Sequence, residues 1–502
     1  MTFYDEYKPF RNYMRRFDLL EGLVDVWRYS LHIMEGQLLP ADYAVGKEKL
    51  TLKPLREHLY PWQLDILARE LVLNAGKGGD RSLKRWNDLA IAGNHIRRLG
   101  DAAYICGGNP PDVMFELHRI AHRQFPWQSD NGYGPLVRAF KVFGDAAVDA
   151  LIVRELGMTM RQFILLGAAV GGHFLHTWGM TDKQDYSQVL KIPMDASEAF
   201  FGRVSCTIAQ LRAETARRQS YGDDWQYVWN PLEATPLVRF DPTHPERVVC
   251  PIQPYLIRRV STGIFFDLVK SSGFDNSYGN AFQAYVGQVL GQTCPRPLKI
   301  LAEEPYIIGT NLHHGVDWIV SDTTGHLFVE CKAKRLTLNA KTLSDPAALD
   351  RDLLVMAKAI VQHYGNIRRA LEGKTGWVPD GLPVYPMVLT LEDWYIFSPR
   401  VSEMLNAHVS RLSAMAGIPR NLPEEMPCII ASSHEFEIAT QIMARVGIHT
   451  VMGGKVRPEH RSWSLLPYVS WNFPEEMKQV NRRLFPEDWR RLMPDKPDWE
   501  DA

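Results

Sequence analysis

Three ionisable residues in one short stretch carry the most chemistry in this sequence. In GVDWIVSDTTGHLFVECKAKR, residues 315–335, Asp317 stands in one strand-like run and Glu330 and Lys332 stand in the next. Val316, Trp318 and Val320 alternate with Asp317, Ile319 and Ser321; Leu327, Val329, Cys331 and Ala333 alternate with Phe328, Glu330, Lys332 and Lys334. A period of two is that of β-strands, so a hairpin is expected with one apolar face and one largely polar face. Asp322-Thr323-Thr324-Gly325 has turn composition, and a two-residue turn at Thr323-Thr324 pairs residues whose numbers sum to 647. That register sets Asp317 opposite Glu330, with Lys332 two positions along the same face. A bulge at Gly325 would shift it. Cross-strand carboxylates, about 5 Å apart at their β-carbons, can share a hard divalent cation. Magnesium is the expected ion because it takes few protein carboxylates and keeps its waters. Such an ion polarises a phosphoryl group and lowers the pKa of a bound water, while a nearby ammonium offsets the charge that builds up on phosphorane oxygens. The chemistry that suits this trio is phosphodiester hydrolysis.

Asp317 followed by Glu330-Cys331-Lys332 resembles the D...(D/E)xK signature of the PD-(D/E)XK nuclease superfamily, over roughly residues 240–460. The resemblance implies a restriction-endonuclease-like α/β domain, a mixed sheet flanked by helices. It also implies a metal-dependent nuclease that cuts DNA with Mg²⁺, Mn²⁺ substituting. In that family a helix precedes the hairpin, and SYGNAFQAYVGQVLG at 277–291 looks like it. The family often carries a glutamate there as a further ligand; the matching position here is Gln283. The third ligand is therefore open between Gln283, Glu303 or Glu304 and a single-ion site. The backbone carbonyl between acid and lysine, that of Cys331, is a ligand by the same resemblance. Gly315-Val316 stands where the family name has its proline. Bare ExK patterns recur at Glu372-Gly373-Lys374 and Glu476-Met477-Lys478, but neither has a strand-borne aspartate opposite.

Around the trio, Lys332, Lys334, Arg335, Lys341, Arg351, Lys358, Arg368 and Arg369 form a basic stretch, diluted by Asp345, Asp350, Asp352 and Glu372. Phosphate contacts need such a surface, and Lys334, Arg335, Lys358 and Gln362 are the candidates for nucleic-acid binding. Gln362, one turn after Lys358, resembles the glutamine or lysine that some family members place beside the cleavage site. His313 and His314 precede the hairpin and are weaker candidates for a phosphate or metal contact, since paired loop histidines more often serve neither. His173 and His176 have zinc-compatible helical spacing, but no cysteine or acid partner is nearby in the sequence, so a packed glycine-rich helix is the expectation. No phosphate loop, dinucleotide fingerprint or HExxH helix occurs.

The elements that must position these residues follow from composition and periodicity. With 502 residues, 45% of them apolar, the chain is long enough for several cores. Its 57 basic and 58 acidic side chains leave no global field for a polyanion, so any DNA must meet a local patch. Residues 1–235 read as a mainly helical domain for recognition, regulation or partner binding, 236–470 as the nuclease-like α/β domain, and 471–502 as a charged C-terminal helix and tail. Six scattered cysteines without a CxxC pair suit a reducing cytoplasm. MTFYDEYKPFRNYMRRF carries charges where a secretory leader needs an apolar core, and the glycine- and histidine-bearing run 163–180 falls short of a membrane span. A nuclease domain joined to a helical one resembles prokaryotic restriction or antiviral phage-defence effectors, and double-strand cutting by one site per chain suggests a homo-oligomer. Two other readings stay open: a catalytically inactive nuclease-fold protein that binds nucleic acid or a partner, favoured by Gln283, and a ribonuclease using the same site.

Overall fold

The computed structural model describes residues 2–43, 58–106, 113–128, 132–295, 297–343 and 345–493, and the chain is mixed α/β with helices predominating. It forms two compact units. The first gathers Met1–Pro111, Arg123–Phe274 and Glu487–Ala502, and the second Asp112–His122 and Asp275–Pro486.

In the first unit the helices Phe3–Met14, Leu19–Met34, Pro61–Asn74 and Trp86–Cys106 enclose an aromatic core that includes Tyr7, Phe10, Phe17 and Trp225. Asp18 caps the second helix by accepting from the Glu21 amide, the usual use of a carboxylate at a helix start. Buried Glu70 is supplied with donors by Tyr7 Oη (2.6 Å), Arg69 Nη2 (3.1 Å) and Trp225 Nε1 (3.2 Å), which offsets the desolvation of its charge. The run 163–180 is a packing helix and turn. In Met160–His173, Gly167 and Gly171 let Val260 and Ile257 of helix Gln253–Ser261 approach closer than a side chain would permit. His173 Nε2 contacts Thr177 Oγ1 (2.6 Å) and the Gly179 carbonyl (3.1 Å), and His176 is exposed. No helix among the described residues is long and apolar enough to cross a membrane.

The boundary expected near residue 235 lies inside this first unit. The change of texture there marks a small sheet, in the order Gly179–Thr181, Arg247–Val249, Leu237–Arg239, Ser205–Thr207. Cys206 pairs with Val238 and Met180 with Val248, so strands from either side of 235 hold each other and the units part at 274 instead. The apolar run from 247 is a three-residue strand followed by a helix. The C-terminal helix Pro486–Leu492 is no solvated appendage: Asp488 accepts from Lys141 Nζ at 2.6 Å, Trp489 packs on Tyr133, and Leu492 is buried. The expected tail beyond it, 494–502, lies outside the described residues.

The second unit is built on a five-stranded sheet. Helix α1 (Phe274–Thr293) precedes strands β1 (Lys299–Ala302), β2 (Trp318–Ser321) and β3 (His326–Lys332). Helix α2 (Pro346–Leu371) leads to β4 (Val384–Thr390), and helix α3 (Pro399–Met415) leads to β5 (Ile429–Ser432). The sheet order is β5-β4-β3-β2-β1, antiparallel through β1, β2 and β3 and parallel from β3 to β5. Asp345 caps α2 through the Ala347 amide, and Gly373, at φ +71°, turns the chain after it. Strand β3 is central, and Leu327, Phe328 and Val329 are all fully buried. The expectation of one apolar and one polar face therefore fails for most of the hairpin. Ile367 and Ala370 of α2 cover Ile319 and Phe328, and apart from the buried Ser321–His326 contact at the turn the polar side chains gather at the C-terminal end of β3.

Candidate metal centre

The turn and register of the hairpin place the three ionisable residues together. Asp322 Oδ1 accepts from the Thr324 amide (2.6 Å) and the Gly325 amide (3.0 Å), and the Asp322 amide donates to the Gly325 carbonyl at 3.1 Å. The turn closes without a bulge. Trp318 pairs with Val329, Ile319 with Phe328 and Ser321 with His326, so every pair sums to 647 as expected. One step back, Asp317 faces the start of Glu330-Cys331-Lys332: its Oδ2 accepts from the Cys331 amide at 2.6 Å. Lys332 Nζ lies 2.8 Å from Glu330 Oε1. A hairpin with a surface ion pair does not describe this arrangement, because Glu330 is only 3% exposed.

Burial and crowding of like charge set the electrostatics. Asp317 is pushed up from 3.8 to about 7, first by burial and then by the neighbouring Glu330, against the pull of the Cys331 amide. Glu330 is also raised, again mainly by burial, with Lys332 opposing. Burial disfavours the Lys332 ammonium, yet Glu330 and Asp317 outweigh it and hold the lysine above its ordinary value. Lys332 therefore stays protonated at neutral pH. Two acids that resist ionising together are a pair that a dication would relieve.

The third acid is Glu303. Strand β1 pairs with β2, Ala302 opposite Trp318, and the Glu303 amide donates to the Asp317 carbonyl at 2.9 Å. Its carboxylate raises both Asp317 and Glu330. Gln283, on α1, points its Nε2 at Glu303 Oε2 at 3.5 Å, the outer limit of a hydrogen bond, and its backbone carbonyl accepts from Trp318 Nε1 at 3.1 Å. Glu304 turns instead toward Gly376. His314 Nδ1 is 3.0 Å from Glu303 Oε1, whereas His313 stacks on Tyr306. As the side chains stand, no three His, Cys, Asp or Glu among the described residues enclose one point; the donors come as neighbouring pairs.

The basic stretch separates into two groups. Lys334, Lys358 and Gln362 are exposed and, with Lys332, Met356 and Trp394, line a groove of about 240 Å³ beside the acids. Arg335 does not belong there. It is buried, pairs with Glu392 at 2.9 Å and donates to Tyr278 Oη at 3.1 Å, so its guanidinium is spent inside the fold. Lys341 also faces Glu392, and Arg351 pairs with Asp345.

One site residue escaped the sequence reading. His363 of α2 is fully buried, its Nε2 3.1 Å from the Phe328 carbonyl and its Nδ1 3.7 Å from Glu330 Oε2. Neither Nδ1 nor Oε2 has a hydrogen-bond partner. The available signal was a histidine in the apolar row Met356, Ile360, Ile367 at helical spacing. Neighbouring carboxylates with one orphaned, buried carboxylate oxygen are the donor chemistry a divalent cation takes, although the described side chains as they stand do not yet enclose one. No protein-family model, curated protein or solved structure matches this chain.

Proposed function

We propose that the second unit is a metal-dependent nuclease that hydrolyses DNA phosphodiester bonds. The observation that carries the reading is the convergence of Asp317, Glu330 and Lys332 at the end of paired strands, next to a groove edged by further lysines. The succession α1, antiparallel β1 to β3, α2 and parallel β4 supports a restriction-endonuclease-like fold. Asp317 and Glu330 would hold the ion, with the Cys331 carbonyl as the family resemblance implies and Glu303 in place of the missing helix glutamate. When bound, Mg²⁺ or Mn²⁺ supplies charge to the phosphoryl oxygens and a water acidic enough to attack. Lys332, which the neighbouring acids hold protonated in the ion-free site, would orient the scissile phosphate and offset the charge that develops there. Lys334, Lys358 and Gln362 contact the flanking backbone. Burial around Asp317 keeps bulk water from screening these charges.

A biological role in restriction or phage defence, in the cytoplasm and as a homo-oligomer when both strands are cut, follows from this reading. The binding-only alternative draws on Gln283, where the family often has a glutamate; Glu303 is the acid that would stand in for it in an active site. The test is cleavage of plasmid and linear DNA, with an RNA strand in parallel, by purified protein in Mg²⁺ or Mn²⁺. Asp317→Ala and Lys332→Ala should each lose the activity; equal cutting by wild type and variants would assign it to a contaminant and end the proposal.

A further inference from the structure

We propose that His363 is a nitrogen ligand of the ion held by Glu330, so that the site takes a divalent transition ion such as Mn²⁺ in preference to Mg²⁺. This inference rests on the metal-dependent reading of the same site and deepens it. A carbonyl oxygen only accepts, so the 3.1 Å contact with Phe328 places the ring proton on Nε2 and leaves Nδ1 with a bare lone pair. That lone pair faces Glu330 Oε2, itself an acceptor, across 3.7 Å in a place water does not reach. Both atoms lack any hydrogen-bond partner. Once Glu330 is ionised, these two facing acceptors leave a buried gap that a bound cation would fill. An imidazole that gives its other N–H to a backbone carbonyl is held as metal-bound histidines are held. Magnesium favours oxygen donors, whereas manganese and its neighbours accept imidazole nitrogen.

The experiment titrates Mn²⁺ into the full-length protein without DNA, follows binding by electron paramagnetic resonance, and examines the bound ion by electron spin-echo envelope modulation. The expected result is one Mn²⁺ that is lost in Asp317→Ala and shows ¹⁴N modulation from imidazole. That modulation should vanish in His363→Phe and His363→Gln, with Mn²⁺ affinity falling tenfold or more and Mg²⁺ affinity changing less. A bound Mn²⁺ sensitive to Asp317→Ala but without nitrogen modulation would overturn the ligand role and leave the nuclease reading standing. Modulation that persists in a folded His363→Gln would move the nitrogen to another histidine and also overturn it. No Mn²⁺ binding by wild type would overturn both. The wild-type spectrum decides even where a variant fails to fold.

Discussion

Asp317 couples the candidate site to stability. In the folded chain its carboxyl holds a proton up to about pH 7, whereas the unfolded chain releases it near 3.8. Between those values the folded state binds more protons than the unfolded state, so this group makes stability fall as pH rises, with no further loss above about 7. An amide at this position cannot ionise. Asp317→Asn, free of divalent ions, should therefore melt a few degrees above wild type at pH 8, and the gap should close toward pH 4. A wild type that melts as high as the variant at pH 8 would show that the acid is not strained. Lys332→Met makes the complementary test, because it leaves the buried Glu330 without its 2.8 Å partner. We expect a stability loss of about 1–3 kcal/mol and a fall in single-turnover DNA cleavage of roughly 10²-fold or more. Retained cutting would remove the lysine from the chemistry. The trio and its register were legible in the sequence because alternation and turn chemistry are local signals. Glu303 could only be named beside Glu304, since a non-local strand pairing selects between them. His363 was missed because an orphaned nitrogen is a property of packing.

At the scale of elements, helix α1 reaches the site by close approach to Trp318. A β-carbon at Gly287 would run into the Trp318 ring, whereas one at Gly291, a turn further on, would meet nothing. Gly287→Ala should therefore cost about 1–3 kcal/mol through a forced shift of the helix. Gly291→Ala should stabilise by roughly 0.5–1 kcal/mol, since alanine loses less backbone entropy. Urea melts of both variants check the contrast, and equal effects would mean that α1 does not rest on Trp318. Long periodic segments are readable in the sequence: α2 carries Leu349, Leu353, Met356 and Ile360 at helical spacing, and the unbroken apolar runs at 384 and 429 are strands. The edge strand β1 was not anticipated, being four residues with lysine and alanine at its ends. The apolar run PYIIG does form a strand, Tyr306–Ile308, but it pairs locally with Asn311–His313 outside the main sheet.

For the whole molecule, the sequence placed a boundary where polarity and proline mark a loop, but a covalent neighbourhood does not reveal which strands will pair across it. The fragment 236–470 would carry Leu237–Arg239 and Arg247–Val249 without Gly179–Thr181 and Ser205–Thr207, and helix Gln253–Ser261 without the Gly167 and Gly171 surface it packs against. Unpaired strand edges and exposed apolar helix faces drive association, so this fragment should aggregate. The fragment 275–486 keeps the five-stranded sheet intact and should melt cooperatively. It lacks only 112–122, from which His118 Nε2 reaches the Ala340 carbonyl at 3.1 Å and Phe115 packs on the core cluster containing Leu349 and Leu353. A peptide of residues 112–122 added at millimolar concentration should raise the melting temperature of 275–486 in proportion to the logarithm of its concentration, as a ligand of the folded state does. A cooperative melt from 236–470, or indifference of 275–486 to the peptide, would show that the units are divided elsewhere.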